Sequence, residues 1–208
     1  MISPPSPSAV PAAQRDDVAN KRRSCSCRIA ESRPSCQAID TMRILAIDPA
    51  IRNTGFAVVE GDHKSQSALA FDVISMPRTL SQSGALAAIR GGLSNLIEKW
   101  EPDEVAVEGI IYVQSHRTAI SMGAARAAAL IAAADHGLTV YEYAPRKIKQ
   151  AVVGKGSADK QQVAFMVRAL LGLSETPPHD AADALAIALA HLFASDPLKE
   201  ASLTRTQI

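Results

Sequence analysis

Four acidic residues stand where an acid needs explaining. Asp48 ends the apolar run ILAIDP and Glu108 ends the apolar run EVAVEG. Asp180 and Asp183 sit three residues apart near the start of HDAADALAIALAHLF, a spacing that puts them on one face of a helix. An acid in a first helical turn is an ordinary cap, which suits Asp180. Asp183 is flanked by Ala181, Ala182 and Ala184, and a lone buried carboxylate costs several kcal/mol unless it is paired or bound to metal. Gathered together, such acids repel one another until a divalent cation joins them. An all-oxygen donor set favours Mg²⁺, with Mn²⁺ as a substitute, over zinc. Two ions roughly 4 Å apart can activate a water and stabilise the leaving oxygen of a phosphodiester. The chemistry these residues could do is phosphodiester hydrolysis.

The elements that must position them follow from the pattern of apolar residues. Arg43–Asp48, Phe56–Glu60 and Ala68–Ile74 read as three strands joined by short turns, an antiparallel meander. Leu86, Ile89, Leu93, Leu96 and Ile97 give Ser81–Trp100 helical spacing, and Glu104–Glu108 is a fourth strand. An Ala-rich helix over Ala119–His136 precedes a fifth strand, Thr139–Tyr143. Helices follow at Pro145–Val153, Asp159–Leu171 and His179–Phe193. This order predicts an α/β fold of ribonuclease-H-like type, a mixed five-stranded sheet flanked by helices. The first and fourth strands should lie side by side and bring Asp48 and Glu108 together. Trp100 reads as packing, and His63, His136 and His191 as surface or helix-end residues.

The flanks differ in kind. Residues 1–41 are rich in Pro, Ser, Ala and Arg without periodicity, which predicts a disordered extension. It reads as a dispensable tail, a transit peptide or residues upstream of a start at Met42. Asp16, Asp17 and Glu31 weigh against the transit reading. The domain is expected over residues 42–195, with a loose tail at 196–208. All three cysteines, Cys25, Cys27 and Cys36, lie in the extension and match neither a disulfide framework nor a zinc-finger spacing. No run is apolar and long enough to span a membrane, and the expected location is cytoplasmic.

Net charge is +1 over 208 residues, so any nucleic-acid surface must be a local patch. One such patch exists: Arg146, Lys147, Lys149, Lys155, Lys160 and Arg168 surround the single acid Asp159. Within it the loop Gly154–Ser157 has the glycines, hydroxyl and flanking lysines that suit phosphate contact. The stretch from Tyr112 to Thr118, with Gln114, Ser115, His116 and Arg117, is a second candidate surface.

The stretches ILAIDPAIRNTGFAVVE, VAVEGIIYVQSHRTAISMGAARAAAL, YEYAPRKIKQAVVGKGSADKQQVAFMVRALL and HDAADALAIALAH resemble the bacterial RuvC Holliday-junction resolvases over about 42–193. The resemblance implies a homodimer that makes paired symmetric nicks in four-way DNA junctions. It further implies two Mg²⁺ ions per site and cooperation with the RuvA and RuvB branch-migration proteins. Asp48, Glu108, Asp180 and Asp183 match the family's acidic positions, and Lys149 and Lys160 match basic positions it uses on DNA. The third acid is His in some members, so His179 stands as an alternative to Asp180. Two positions depart from the family: Ala50 replaces a glycine that permits positive φ or close backbone approach, so strain or a reshaped turn is expected there, and Ile111, followed by Tyr112, replaces the aromatic that wedges into the junction. The competing readings are a ribonuclease-H-like nuclease of YqgF type acting on RNA, a non-catalytic junction binder, and the sugar-kinase/actin superfamily. The last lacks its glycine-rich second phosphate loop here.

Overall fold

The computed structural model describes residues 41–110, 115–196 and 205–208. Three strands come first: β1 (Met42–Asp48), β2 (Asn53–Gly61) and β3 (Gln66–Ser75). Then come α1 (Gln82–Trp100), β4 (Glu104–Glu108), α2 (His116–Asp135) and β5 (Thr139–Tyr143). Three helices, α3 (Pro145–Val153), α4 (Lys160–Leu170) and α5 (His179–Phe193), precede a short β6 (Thr206–Gln207). The sheet runs β3-β2-β1-β4-β5-β6, with β1 antiparallel to β2 and parallel to β4.

Strand periodicity divides the core into two layers. Ile44, Ala46, Ala57, Val59 and Ala106 face one side of the sheet, where α3, α4 and α5 pack. Leu45, Ile47, Val58, Val105 and Val107 face the other, under α1 and α2. Small residues let α5 press close to the sheet. Of its fifteen residues, only His179, Asp180 and Asp183 are not buried. A helix apolar on nearly every side belongs in an interior, and α5 lies between the sheet and α3 and α4.

Helix termini follow their local chemistry. Ser81 caps α1 through the Gly84 N–H, and Asp159 forms a reciprocal capping box with Gln162 at α4. Pro145 occupies the first turn of α3, where its missing N–H costs nothing, and Gly154 ends that helix at φ 82°.

Three expectations change. The sheet has six strands rather than five, because residues 206–207 of the expected tail pair antiparallel with β5. The Ile208 N–H extends that ladder to the Val140 carbonyl at 3.0 Å, and Arg205 stacks over Tyr141. His191 is not a surface residue: it is fully buried and bridges the Tyr143 hydroxyl (2.9 Å) and Glu104 (2.8 Å). Burial holds its pKa down, and the neutral ring donates from Nε2 to Glu104 and accepts at Nδ1 from Tyr143. The third change is at Ala50. Glu101 is the sole non-glycine residue with positive φ among the described residues, so Ala50 strains nothing. Its carbonyl accepts the Thr54 hydroxyl at 2.7 Å and closes the turn after β1.

Candidate active site

The alternation that builds the core also places the acids. Asp48 continues the row of Ile44 and Ala46, and Glu108 continues the row of Ala106, so both belong to the face that α5 covers. Parallel pairing of β1 with β4 in the register Ile47↔Val107 sets the two carboxylates side by side at the strand ends. From above, α5 brings the first turn that carries Asp180 and Asp183.

Its approach is set by a residue with no side chain. Gly55 lies opposite Asp48 in the ladder and in the same inward row as Ala57 and Val59. A Cβ at Gly55 would fall 2.1 Å from the Asp180 carbonyl oxygen, so only glycine lets the start of α5 come this close. Sequence reasoning passed Gly55 over as part of a turn. Its signal was the parity that places it beneath α5.

The electrostatics are those of charges crowded in a poorly solvated place. Burial, then the charges of Asp183 and Asp180, push the Asp48 pKa up to about 6. Burial, then Asp48 and Asp183, push Glu108 up to about 7. Lys160 answers part of this charge. Its Nζ donates to Asp183 Oδ2 at 3.0 Å, and the contact raises the Lys160 pKa. Among the described residues, no three acidic or histidine side chains converge closely enough to close around one ion. The acids are neighbours whose charges raise the pKa values of Asp48 and Glu108, with a lysine on one of them. As a donor set they suit a hard divalent cation: all oxygens, net negative and partly desolvated.

A cleft of about 410 Å³ joins these groups. Asp48, Glu108 and Asp183 line it together with Lys149 and Lys160, while Ile148, Val163 and Ile187 make its apolar wall. Asp180 lines the adjoining cavity. His179 is exposed and lines neither cavity, whereas the Asp180 charge reaches Asp48. The basic patch divides in three dimensions. Lys149 and Lys160 reach the acids, Lys155 lines a separate hollow beside the exposed Phe165, and Arg146 is exposed outside both. Ile111, Tyr112 and Gln114 lie outside the described residues.

The family model described as crossover junction endodeoxyribonuclease RuvC matches residues 44–191. The curated relative of that name from Akkermansia muciniphila is 65% identical over 167 residues, covering 80% of this chain and 100% of its own. The one from Dehalococcoides mccartyi (strain 195) is 45% identical over 151 residues, 72% of this chain and 92% of its own. Among solved structures, Thermus thermophilus RuvC in complex with Holliday junction substrate is similar at a TM-score of 0.73 and 34% identity. That match covers 79% of this chain and 99% of the other. The yeast mitochondrial Holliday junction resolvase Ydc2 shares the fold, with a TM-score of 0.56 at 13% identity, over 77% of this chain and 83% of its own. A family model spanning β1 to α5, joined by relatives covered almost end to end, leaves one assignment: the chain belongs to the RuvC family of crossover junction endodeoxyribonucleases.

Proposed function

We propose that this chain resolves Holliday junctions, making paired symmetric nicks in four-way DNA during recombination and repair. Asp48, Glu108, Asp180 and Asp183 would hold two Mg²⁺ ions, with Mn²⁺ able to replace them. The observation that carries the reading is the meeting of Asp48, Glu108 and Asp183 with Lys149 and Lys160 around one cleft, with Asp180 in the adjoining cavity and its charge reaching Asp48. Bound there, divalent ions would activate a water and steady the leaving oxygen. The chain's own residues do the rest. Lys149 and Lys160 draw a phosphodiester toward acids that would otherwise repel it. The apolar wall of Ile148, Val163 and Ile187 thins the water around the site and strengthens every charge interaction within it. The Lys160–Asp183 contact holds the α5 acid in place until a cation competes for it.

Two symmetric cuts need two sites, so the working form is a homodimer. Its companions would be RuvA and RuvB, as the resemblance implies, and its location the cytoplasm. No described helix is long and apolar enough to cross a membrane. Residues 42–195 would be the nuclease domain and 1–41 an extension to it. Ile111 or Tyr112 would supply the junction wedge, and Lys155 and Arg146 would extend the DNA-facing surface beyond the cleft.

The test is substrate choice. The full chain with Mg²⁺ is offered labelled four-way, Y-shaped and linear DNA and a structured RNA. Paired nicks confined to the four-way junction are expected, while cleavage of RNA in preference to the junction would favour a YqgF-like activity and sink this reading.

Gly55 gives a separate expectation. Gly55→Ala pushes Asp180 and Asp183 away from Asp48, and displacement of about 1 Å at a reacting centre can cost 10²-fold. Single-turnover cleavage by Gly55→Ala should fall by about that factor with junction affinity retained. An unchanged rate in a folded variant would show that the close approach is irrelevant to catalysis.

A further inference from the structure

We propose that the cleft runs on past the carboxylates to a second phosphate subsite, with Arg117 as its cation, so that one DNA strand lies along a trough with its cut position midway. The proposal rests on the nuclease reading above and adds the course of the substrate. Its basis is the continuity of three cavities. The cleft of Asp48, Glu108, Lys149 and Lys160 shares the walls Ala50 and Met122 with the cavity that Asp180 lines. That cavity shares Arg52, Arg117 and Ser121 with a third, which leads outward past Gln82. Cations therefore stand at both ends and acids in the middle.

Of the two far cations, Arg117 is the one left free to act on a ligand among the described residues. Arg52, in the turn after β1, donates to the carbonyls of Pro77 (2.8 Å) and Leu80 (3.1 Å), which ties it to the loop between β3 and α1. Neither Arg52 nor Arg117 forms an ion pair among the described residues, although Asp180 lines the same cavity. Arg117 is exposed, and Ser121 lies four residues on along α2, one turn away on the same face. A guanidinium beside a hydroxyl offers the forked and single donors that phosphate oxygens accept. Nucleic-acid strands repeat a negative charge along their length, and a trough with positive ends fits such a polymer better than a small anion. An ordinary solvated arginine would need no continuous cavity leading from it to the acids.

The test couples protein and DNA changes. Four-way junctions are made with a neutral methylphosphonate replacing, one at a time, a few phosphates on each side of the cut position. Binding to the full chain is measured in metal-free buffer over a salt series. For the wild type, one replacement on the side away from Lys149 should weaken binding about tenfold, as loss of a charge-assisted hydrogen bond does. Arg117→Ala should bind the unmodified junction about tenfold more weakly and be indifferent to that same replacement. It should also lower the slope of log affinity against log salt by about 0.9 per contact, while Arg117→Lys keeps most of the slope. Replacements on the Lys149 side should weaken wild type and Arg117→Ala alike. If Arg117→Ala shows the wild-type profile at every position, the subsite is overturned. Failure of the underlying reading is visible separately, as a wild type that binds the unmodified junction but never nicks it when Mg²⁺ is added.

Discussion

Asp183→Asn should lower the rate of junction cleavage by about 10³-fold while leaving the protein at least as stable as before in metal-free buffer. The two halves have one cause. Asp183 raises the pKa of both Asp48 and Glu108, so its charge is a cost to the empty site. Asn keeps the shape, can still accept from Lys160, and removes the repulsion. The ion pair it forfeits, Lys160 to Asp183, is too exposed on the lysine side to contribute more than a few tenths of a kcal/mol. Cleavage suffers because the lost charge helps hold a cation whose electrostatic help in the transition state amounts to several kcal/mol. A loss of about 4 kcal/mol corresponds to the factor given. Single-turnover cleavage and thermal melting of the same preparation read both halves. A variant that cuts normally would remove Asp183 from the catalytic set, and one that cuts poorly because it is unfolded would make its role structural.

The second large effect is on stability against pH. Asp48 and Glu108 have folded pKa values of about 6 and about 7, against ordinary values of 3.8 and 4.5. Between those limits the native state binds more protons than the unfolded chain, so these groups make stability fall as pH rises from about 4 to 7. Each shift alone corresponds to about 3 kcal/mol, and the pair to less than twice that, because part of each shift is the other's charge. His191 works the opposite way. Its pKa is lowered by burial, so its contribution is lost as pH falls. Glu104, lowered by its hydrogen bond from His191, likewise favours the higher pH. The carboxylate effect is isolated by comparing wild type with the double variant Asp48→Asn/Glu108→Gln. In metal-free buffer the variant should melt higher, with the gap near zero at about pH 4 and widest above pH 7, reaching several degrees. Mg²⁺ should raise the wild type and leave the variant unmoved, because ions that bind only the native state stabilise it. A gap that is constant with pH, or one that Mg²⁺ leaves open, would contradict the assignment.

Much of this site is readable without coordinates, for reasons that lie in strand geometry. An apolar run ending in an acid, twice, predicts carboxylates at strand ends, and the meander order makes β1 and β4 neighbours. The same parity places Asp48, Gly55 and Glu108 under one helix, and the Ala-rich sequence of α5 says that this helix comes close. Where the reading stopped short, the determining contacts are distant in sequence. His191 looked like a helix end because its partners, Glu104 and Tyr143, lie 87 and 48 residues away. Residues 206–207 carry no strand pattern of their own and pair only because the β5 edge is open to them. The basic patch looked uniform along the chain. A helix and the turn after it send Lys149 into the cleft and Lys155 away from it, and Lys160 returns on the next helix.

The central claim is that these four acids bind the ions on which cutting depends, and binding can be measured without any substrate. Calorimetric titration of the full wild-type chain with Mn²⁺ should give saturable uptake, more than one ion per chain, releasing protons near pH 6.5 as Asp48 and Glu108 give theirs up. Asp48→Asn and Asp183→Asn should each abolish or greatly weaken that uptake. Undiminished Mn²⁺ binding by both variants, in folded protein, would contradict the account.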